Sequence, residues 1–174
     1  MFPKAHAAAY VMSAIRLGWY KIHYPMEFYA AFLTVAPGGF DAEIVLQGKK
    51  FVEKTITELQ EKEDATQKDA EQVTTLLLVL EAMARGVKFL PVSLEKSDER
   101  AFLPEDGKIR IPFNALSGLG DTAAHRLVEV RNEGNLFSIE ELQQRAGLTK
   151  SVIEILRRNG VLDSLSETNQ FTLF

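Results

Sequence analysis

Glycines that follow helix-length segments restrict most strongly how this chain can fold. Glycine adopts the left-handed backbone conformation that closes many helices. From Asn114 onward, segments with a helical spacing of apolar residues are each followed by a glycine: 121–132 by Gly134, 138–146 by Gly147 and 149–159 by Gly160. We therefore predict short helices joined by tight turns, and Ser138 and Glu141 have the spacing of a capping box.

The first half also predicts helices. They cover 5–22, Pro25 to the break at 37–39, Asp41 to about 59, and 73–85. Helix 5–22 is apolar over so broad a surface that we expect it to be buried on several sides. Gly48 is the weak point of the third helix, and the charged residues 61–71 are either a loop or a solvated helical extension. In the last helix, the side chains predicted to face inward are Leu76, Leu77, Leu80 and Met83, with Gly86 as the cap.

A different pattern begins after Pro91. Apolar residues alternate on both sides of the turn at 104–107, over 101–103 and 108–112, which predicts a β-hairpin. The predicted fold is mainly α. Its expected parts are a helical segment over 1–91, a hairpin plus short helices over 92–165, and a tail over 166–174.

Composition excludes several classes of function. The 174 residues contain no cysteine, and the three histidines have no metal-ligand spacing, so we expect neither disulfides nor a metal site. No apolar run is long enough to cross a membrane, and we expect a cytoplasmic protein with no membrane partner. The net charge of −4 argues against DNA binding by bulk electrostatics. Any nucleic-acid contact should be local.

The strongest local motif is Ser117-Gly-Leu-Gly120, which runs directly into a helix that begins at Asp121. Closely spaced glycines allow a tight turn and close approach of a ligand, and a helix start presents free amides to phosphate. The motif resembles the helix-hairpin-helix element, which contacts one DNA strand's backbone. That resemblance makes Gly118, Leu119, Gly120 and Thr122 candidates for DNA binding. Arg126 is added because it lies close to the hairpin. Glycine-rich hairpins also occur as plain turns, and the residues alone leave both readings open.

Two further stretches carry weaker signals. A second helical pair is predicted at 142–146 and 149–158, where one glycine replaces two. Lys150 lies at the start of its second helix, and it is either a phosphate donor or an exposed cap residue. Lys4 and His6 stand at the start of the first helix, where a triphosphate could be held. They could equally be a surface cation and a packed side chain.

The last residues, Asn169 to Phe174, place three large apolar side chains behind the final predicted helix. Exposed apolar residues on a tail usually have a partner. Gln170, Leu173 and Phe174 resemble the short peptide by which bacterial polymerases dock on the sliding clamp. A tail of this kind could also fold back on its own domain.

The first ten residues and the stretch 24–34 resemble the fingers segment of the bacterial replicative DNA polymerase III alpha subunit of the PolC type. The resemblance runs in order through fingers, hairpin, helix-hairpin-helix domain and clamp peptide. It implies template-directed addition of deoxynucleotides, with Lys4 and His6 facing the incoming nucleotide, and the rest of the polymerase, primer-template duplex and sliding clamp as partners. The chain is expected to be a fragment. The DnaE type is the nearer alternative, and the end at Phe174 favours PolC.

The family keeps its catalytic aspartates and Mg²⁺ in a palm domain that precedes this region, so the resemblance implies that both are absent here. No Asp-x-Asp pair occurs in the sequence. We therefore expect no cofactor and no polymerase activity in this chain alone. Two alternatives remain open: a non-catalytic adaptor that binds a DNA backbone and the clamp, and a helical interaction protein whose glycine turn and tail are only structural.

Overall fold

A computed structural model of the chain describes residues 3–35, 38–134 and 136–168. In those ranges the prediction of a mainly α fold is confirmed. The helices and strands follow in the order α1 (Lys4–His23), α2 (Pro25–Val35), α3 (Ala42–Leu46), α4 (Lys49–Gln60), α5 (Gln67–Ala84), β1 (Phe89–Leu90), β2 (Leu103–Glu105), β3 (Lys108–Arg110), a 3₁₀ turn (Phe113–Ala115), α6 (Asp121–Glu133), α7 (Ile139–Ala146) and α8 (Lys150–Arg158).

Helix α1 differs from its prediction. None of its residues is buried, and Ile15 and Ile22 are 66% and 69% exposed. It packs on α2, and the Lys21 ammonium lies 2.7 Å from the Glu81 carboxylate of α5. The expectation of burial on several sides is therefore wrong for this chain. Helix α1 is apolar nearly all round, and the other described residues pack against only part of its surface. None of the helices described here is long and apolar enough to cross a bilayer.

The predicted helix from Asp41 to about 59 is two helices. Gly48 has a φ of +92° and separates α3 from α4. Asp41 does cap α3, since its Oδ1 accepts hydrogen bonds from the amides of Glu43 and Ile44 at 2.9 and 3.2 Å. A loop follows α4, and Thr66 then caps α5 in a reciprocal box with Asp69. The charged stretch is thus partly loop and partly helix.

Helix α5 turns inward largely the face that was predicted, with the exception of Leu77. Leu76 is fully buried, whereas Leu77 is 47% exposed. Leu80 and Met83 are partly buried against the core, and Val79 and Ala82 are buried as well. Positions 76, 79 and 82 recur near the helical period, and position 77 lies about 100° round the helix from Leu76, so a run of leucines overstates the width of the buried face.

The β-hairpin prediction is correct. Strands β2 and β3 pair antiparallel around Asp106 and Gly107, both of which have positive φ. Strand β1 was not predicted; it pairs parallel with β3, with Phe89 opposite Ile109, and gives the sheet order β1-β3-β2. Strand β1 has only two residues, which is too few to show the alternation of apolar and polar residues that predicts a strand.

The core runs without a break across the predicted boundary near residue 92. Phe40 packs against Phe89 at 5.9 Å and edge-to-face against Phe102 at 4.7 Å between ring centroids. The Phe102 amide donates to Thr34 Oγ1 at 2.9 Å. These contacts place α2 and the segment after α2 directly against the β-hairpin. They therefore fix the position of the second half of the chain relative to the first. The division into domains stays a prediction.

Helices α6 to α8 form the predicted run of short helices. Gly134, Gly147 and Gly160 follow them with φ of +75°, +58° and +69°. Ser138 Oγ accepts from the Glu141 amide at 3.2 Å, as a capping box requires, but the Glu141 carboxylate accepts from the Phe137 amide at 3.1 Å. The cap therefore differs from a standard capping box by one residue, because the glutamate binds the amide of Phe137 and not that of the cap residue Ser138.

Candidate nucleic-acid interface

The hairpin Ser117–Gly120 connects the 3₁₀ turn to α6. Leu119 is 4% exposed, and its amide donates to the Leu116 carbonyl at 3.0 Å. Its side chain therefore anchors the turn in the core and serves the fold, while the glycines on either side remain near the surface. In this position Leu119 can support a ligand only through its backbone.

The two glycines of the hairpin have different roles. Gly118 has a φ of +87°, and a Cβ there would lie 2.9 Å from Cδ1 of Ile155 on α8. Gly120 has an extended backbone with φ of −78°, and a Cβ there would meet no heavy atom within 4 Å. The fold thus favours a glycine at position 118. At position 120 a side chain would contact no described residue, and it could interfere only with an external ligand.

The start of α6 presents free hydrogen-bond donors. The Gly120 carbonyl accepts from the amides of Ala123 and Ala124 at 3.0 and 3.1 Å. Among the described residues, the amides of Gly120, Asp121 and Thr122 have no acceptor. A helix N-terminus with free amides and a positive dipole end favours an anion. Thr122 lies on the exposed side of this first turn.

One carboxylate lies close to these donors. The Asp121 side chain accepts from Asn114 Nδ2 at 3.2 Å, and its other oxygen lies 3.9 Å from an Arg100 guanidinium nitrogen. A negative charge at this point weakens the attraction for phosphate, and the nearby arginine partly offsets it. The hairpin thus combines free amide donors with one carboxylate and one arginine, and the amides are the groups that favour an anion there.

Arg126 is the arginine most available to a ligand near the hairpin. It is exposed on α6, and within the described residues it has no acceptor. A Cβ at Gly147 would lie 3.0 Å from its Nη1, so Arg126 reaches over the turn between α7 and α8. Other arginines of this half are engaged by protein groups: Arg110 by Glu105, Arg131 by the Ser97 carbonyl, Arg145 by Glu133, Arg157 by Glu167 and Arg158 by Glu43.

His125 precedes Arg126 and faces acidic groups. Its Nδ1 lies 2.6 Å from the Glu99 carboxylate and its Nε2 lies 3.3 Å from Glu129. The hydrogen bond to Glu99, together with the charges of both carboxylates, raises the pKa of His125. Its charge is thus balanced within the protein, and it adds little to an anion site.

Lys150 lies in different surroundings from the hairpin. It is the first residue of α8, where Thr149 Oγ1 accepts from the Val152 amide at 3.3 Å. The shallow depression of about 230 Å³ beside it is also lined by the carboxylates of Glu140, Glu154 and Glu167. The second helical pair thus offers a lysine and a helix start in an acidic setting, which suits phosphate less well than the first pair does.

Lys4 and His6 lie in the first turn of α1. The Pro3 carbonyl accepts from the His6 amide at 3.0 Å, and the His6 ring packs edge-on against Tyr10 with centroids 4.6 Å apart. Both side chains are exposed. Their role in nucleotide binding stays a prediction.

The predicted clamp-binding residues Gln170, Leu173 and Phe174 lie outside the described residues. In the part of the chain that is described, no three His, Cys, Asp or Glu side chains come together as a possible metal site.

One basic residue near the hairpin was missed. Lys68, in the first turn of α5, lines the same groove as Gly118 and Gly120. The sequence separates it from the hairpin by about 50 positions and places it in the charged stretch 61–71. Only the tertiary fold brings it to the motif.

Comparison with known proteins agrees with this geometry. The family model of the helix-hairpin-helix motif matches residues 86–171, which include the hairpin Ser117–Gly120 and helices α6 to α8. The DNA polymerase III PolC-type of Thermotoga petrophila is 46% identical over 176 residues, a match that covers 100% of this chain and 13% of the relative.

Two other relatives with the same description match equally completely. The protein of Halalkalibacterium halodurans is 43% identical over 175 residues, and that of Bacillus subtilis is 39% identical over 175 residues. Each match covers 100% of this chain and 12% of the relative. The chain therefore spans only a small part of the length of these curated relatives. With identity of this level along its whole length, the chain belongs to the PolC-type DNA polymerase III family.

Proposed function

We propose that this chain belongs to a replicative, template-directed DNA polymerase, in which it holds the sugar-phosphate backbone of duplex DNA. One observation carries the proposal: the amides of Gly120, Asp121 and Thr122 have no acceptor in the described residues and stand at the positive end of α6. Phosphate is the group that such a helix start binds best. The relatives' description as DNA polymerases supports the assignment.

In the proposed contact the protein binds the sugar-phosphate backbone and does not contact the bases. Amides and an arginine bind phosphate oxygens of any sequence, which fixes register without selecting a site. Arg126 extends the donor set along α6, and Lys150 adds a more distant cation at the start of α8. Because the chain has a net charge of −4, binding must come from these few donors.

Gly120→Val tests the proposal directly. Valine suits the extended backbone of Gly120, and its side chain would occupy the open space in front of the amides. We expect duplex binding, measured by fluorescence anisotropy in low salt, to weaken about tenfold or more, as loss of charge-assisted hydrogen bonds predicts.

Gly18→Val is the matched control. Gly18 also has no positive φ and no neighbour within 4 Å of a Cβ, but it lies in α1 away from the hairpin. Equal duplex affinity for the two variants and the wild type would contradict the proposal. Circular dichroism on all three proteins checks that the fold is retained.

We propose that α1 belongs to the fingers and that Lys4 and His6 approach the incoming nucleotide. Two exposed groups that can carry positive charge, in the first turn of a helix with no acidic residue in that turn, support this role. In a full-length relative, replacing both equivalent residues by alanine should raise the KM for deoxynucleotide while DNA affinity stays unchanged. An unchanged KM would refute the role.

The described residues do not fit a two-metal site, which needs carboxylates that hold two ions a few ångströms apart. We propose that the Mg²⁺ of the whole enzyme is held by a palm domain outside this chain, and that this chain does not extend a primer by itself. Primer extension by the purified chain in Mg²⁺ would overturn this part of the proposal.

The remaining parts of the proposal concern partners and place. Gln170, Leu173 and Phe174 would tether the polymerase to the sliding clamp, since a glutamine and two apolar side chains at this spacing form a small anchor set. The complete polymerase would act in the cytoplasm, where the chromosome of a bacterium is copied. The experiment on the tail is given in the Discussion.

A further inference from the structure

A groove of about 570 Å³ opens directly beside the hairpin. Its first wall is the hairpin and the turn before it, from Asn114 to Gly120. Its second wall comes from the first half of the chain: residues 39–41, Lys68 and Gln72. The groove therefore joins the proposed DNA contact to a part of the molecule that the motif does not include.

The second wall is held firmly in place. A Cβ at Gly39 would lie 2.6 Å from Cα of Gln72, so the backbone at this turn lies directly on α5. One turn further on, Thr75 Oγ1 donates to the Gly38 carbonyl at 2.6 Å. These contacts fix the first turns of α5, and with them the position of Lys68 relative to the hairpin.

Lys68 brings an available positive charge to this wall. Its side chain is exposed, and in the described part of the chain no carboxylate pairs with it. The neighbouring acid is already engaged, because Asp69 accepts from Thr66 and from Lys62 at 2.7 and 2.9 Å. Among the described residues, Lys68 is thus a cation without a counter-ion.

The acidic residue of the groove is engaged by the fold. Asp41 Oδ1 accepts the amides of Glu43 and Ile44 as the cap of α3, so part of its charge is taken up by the helix start. Gln72 adds a neutral side-chain amide that can donate to an oxygen anion. The groove therefore has Gly120, the first residue with a free amide, on one wall, and an ammonium and a side-chain amide on the other.

We propose that this groove receives the phosphodiester backbone of the DNA strand held by the hairpin, with Lys68 neutralising a neighbouring phosphate. The inference rests on the proposed duplex binding and extends it to α5. Charge complementarity and continuity with the hairpin amides favour a nucleic-acid strand as the occupant. The strand contact would then span both halves of the chain, from α5 to α6.

The experiment measures binding of the full chain to a fluorescein-labelled DNA duplex across a series of KCl concentrations. Loss of one phosphate contact lowers the slope of log K against log salt by about 0.9. We expect Lys68→Ala to show this change, with an affinity several-fold weaker at low salt. Lys68→Glu should weaken binding further.

Lys50→Ala is the matched control, since Lys50 is an exposed lysine on α4 that has no carboxylate partner in the described residues and does not line the groove. Its salt slope should equal that of the wild type. If Lys68→Ala behaves like Lys50→Ala while Gly120→Val loses binding, the role of Lys68 is refuted and the hairpin contact stands. If the wild-type chain does not bind duplex at all, both proposals fail.

Discussion

Arg158 and Glu43 join α8 to α3 across 115 positions of the chain, with Nη2 of the arginine 2.6 Å from Oε1 of the glutamate. Asn159 Nδ2 donates to the same oxygen at 3.3 Å. The hydrogen bonds from Arg158 and Asn159 lower the pKa of Glu43. This contact fastens the last helix, which underlies the hairpin, to the first half.

Glu43→Gln should change the free energy of unfolding by less than about 1 kcal/mol, because both side chains are well exposed and such pairs contribute little. The small effect should shrink further as salt is raised. Urea unfolding at low and high KCl measures it. Glu58→Gln, which removes an exposed pair with Lys54 inside α4, is the control; a loss several times larger for Glu43→Gln would show that the contact is more than a surface pair.

Gly118→Ala should destabilise the chain by about 1–2 kcal/mol, because alanine at a φ of +87° is strained. The contact with Cδ1 of Ile155 adds a second cost, which the flexible end of that side chain can partly relieve. Ile155→Val removes this atom, so the double variant should recover part of the loss. Urea unfolding of all four proteins gives the coupling energy, and a value of zero would rule out the clash.

Arg126→Ala should weaken duplex binding and reduce its salt slope by about 0.9, since it removes a cation that has no acceptor in the described residues. Arg157→Ala is the control, because the Arg157 guanidinium lies 2.9 Å from Glu167 and is already neutralised. Anisotropy titrations over a range of KCl compare the two. Equal slopes for the two variants would remove Arg126 from the proposed interface.

Glu105→Gln should reduce stability at neutral pH and lessen its decrease in acid. Hydrogen bonds from Arg110 and Lys96 lower the pKa of Glu105 from 4.5 to about 2. Because the folded-state value is the lower one, the stabilisation is complete above about pH 4.5 and is lost as the pH falls towards 2.

Urea unfolding at several pH values between 2 and 7 tests this. The difference between wild type and Glu105→Gln should be largest near neutrality and decline below pH 4.5. Arg110, which is buried and also donates to the Pro91 carbonyl at 2.6 Å, loses its counter-ion in the variant. A difference that grows in acid would contradict the assignment. Glu154→Gln, a more exposed residue with a long 3.7 Å contact to Arg157, is the control.

The double variant Gln170→Ala with Leu173→Ala should lose binding to a bacterial sliding clamp and keep the same thermal unfolding. The reason is that a small set of anchor side chains supplies most of the energy in such contacts. Surface plasmon resonance against immobilised clamp measures the affinity. Unchanged affinity would refute the role of the tail. Gln143→Ala with Leu77→Ala, a similar change on exposed or partly exposed helix positions, is the control.

The sequence predicted the features that depend on local chemistry. Asp106 and Gly107 favour a tight hairpin, Asp41 caps a helix, and Gly147 closes α7; each signal acts over a few residues. The hairpin at Gly118 was likewise recognisable from its spacing, although its two glycines proved to serve different needs.

Features that depend on distant parts of the chain could not be read in this way. Leu77 and Val79 are similar in hydrophobicity, and only packing decides which one is buried. Strand β1 forms because β3 offers a partner 20 positions later. Lys68 reaches the hairpin groove through the fold of α5 against residues 38–41, which no local pattern records.

The small sheet has a consequence for assembly. Its central strand β3 is paired with a strand along each edge, and the outer strands β1 and β2 have only two and three residues. Pro104, in the middle of β2, has no amide proton to offer. Edges this short and interrupted give an incoming polypeptide no ladder to extend, which protects against amyloid-like stacking. Within the described residues, addition of a strand from another protein to this sheet is therefore disfavoured.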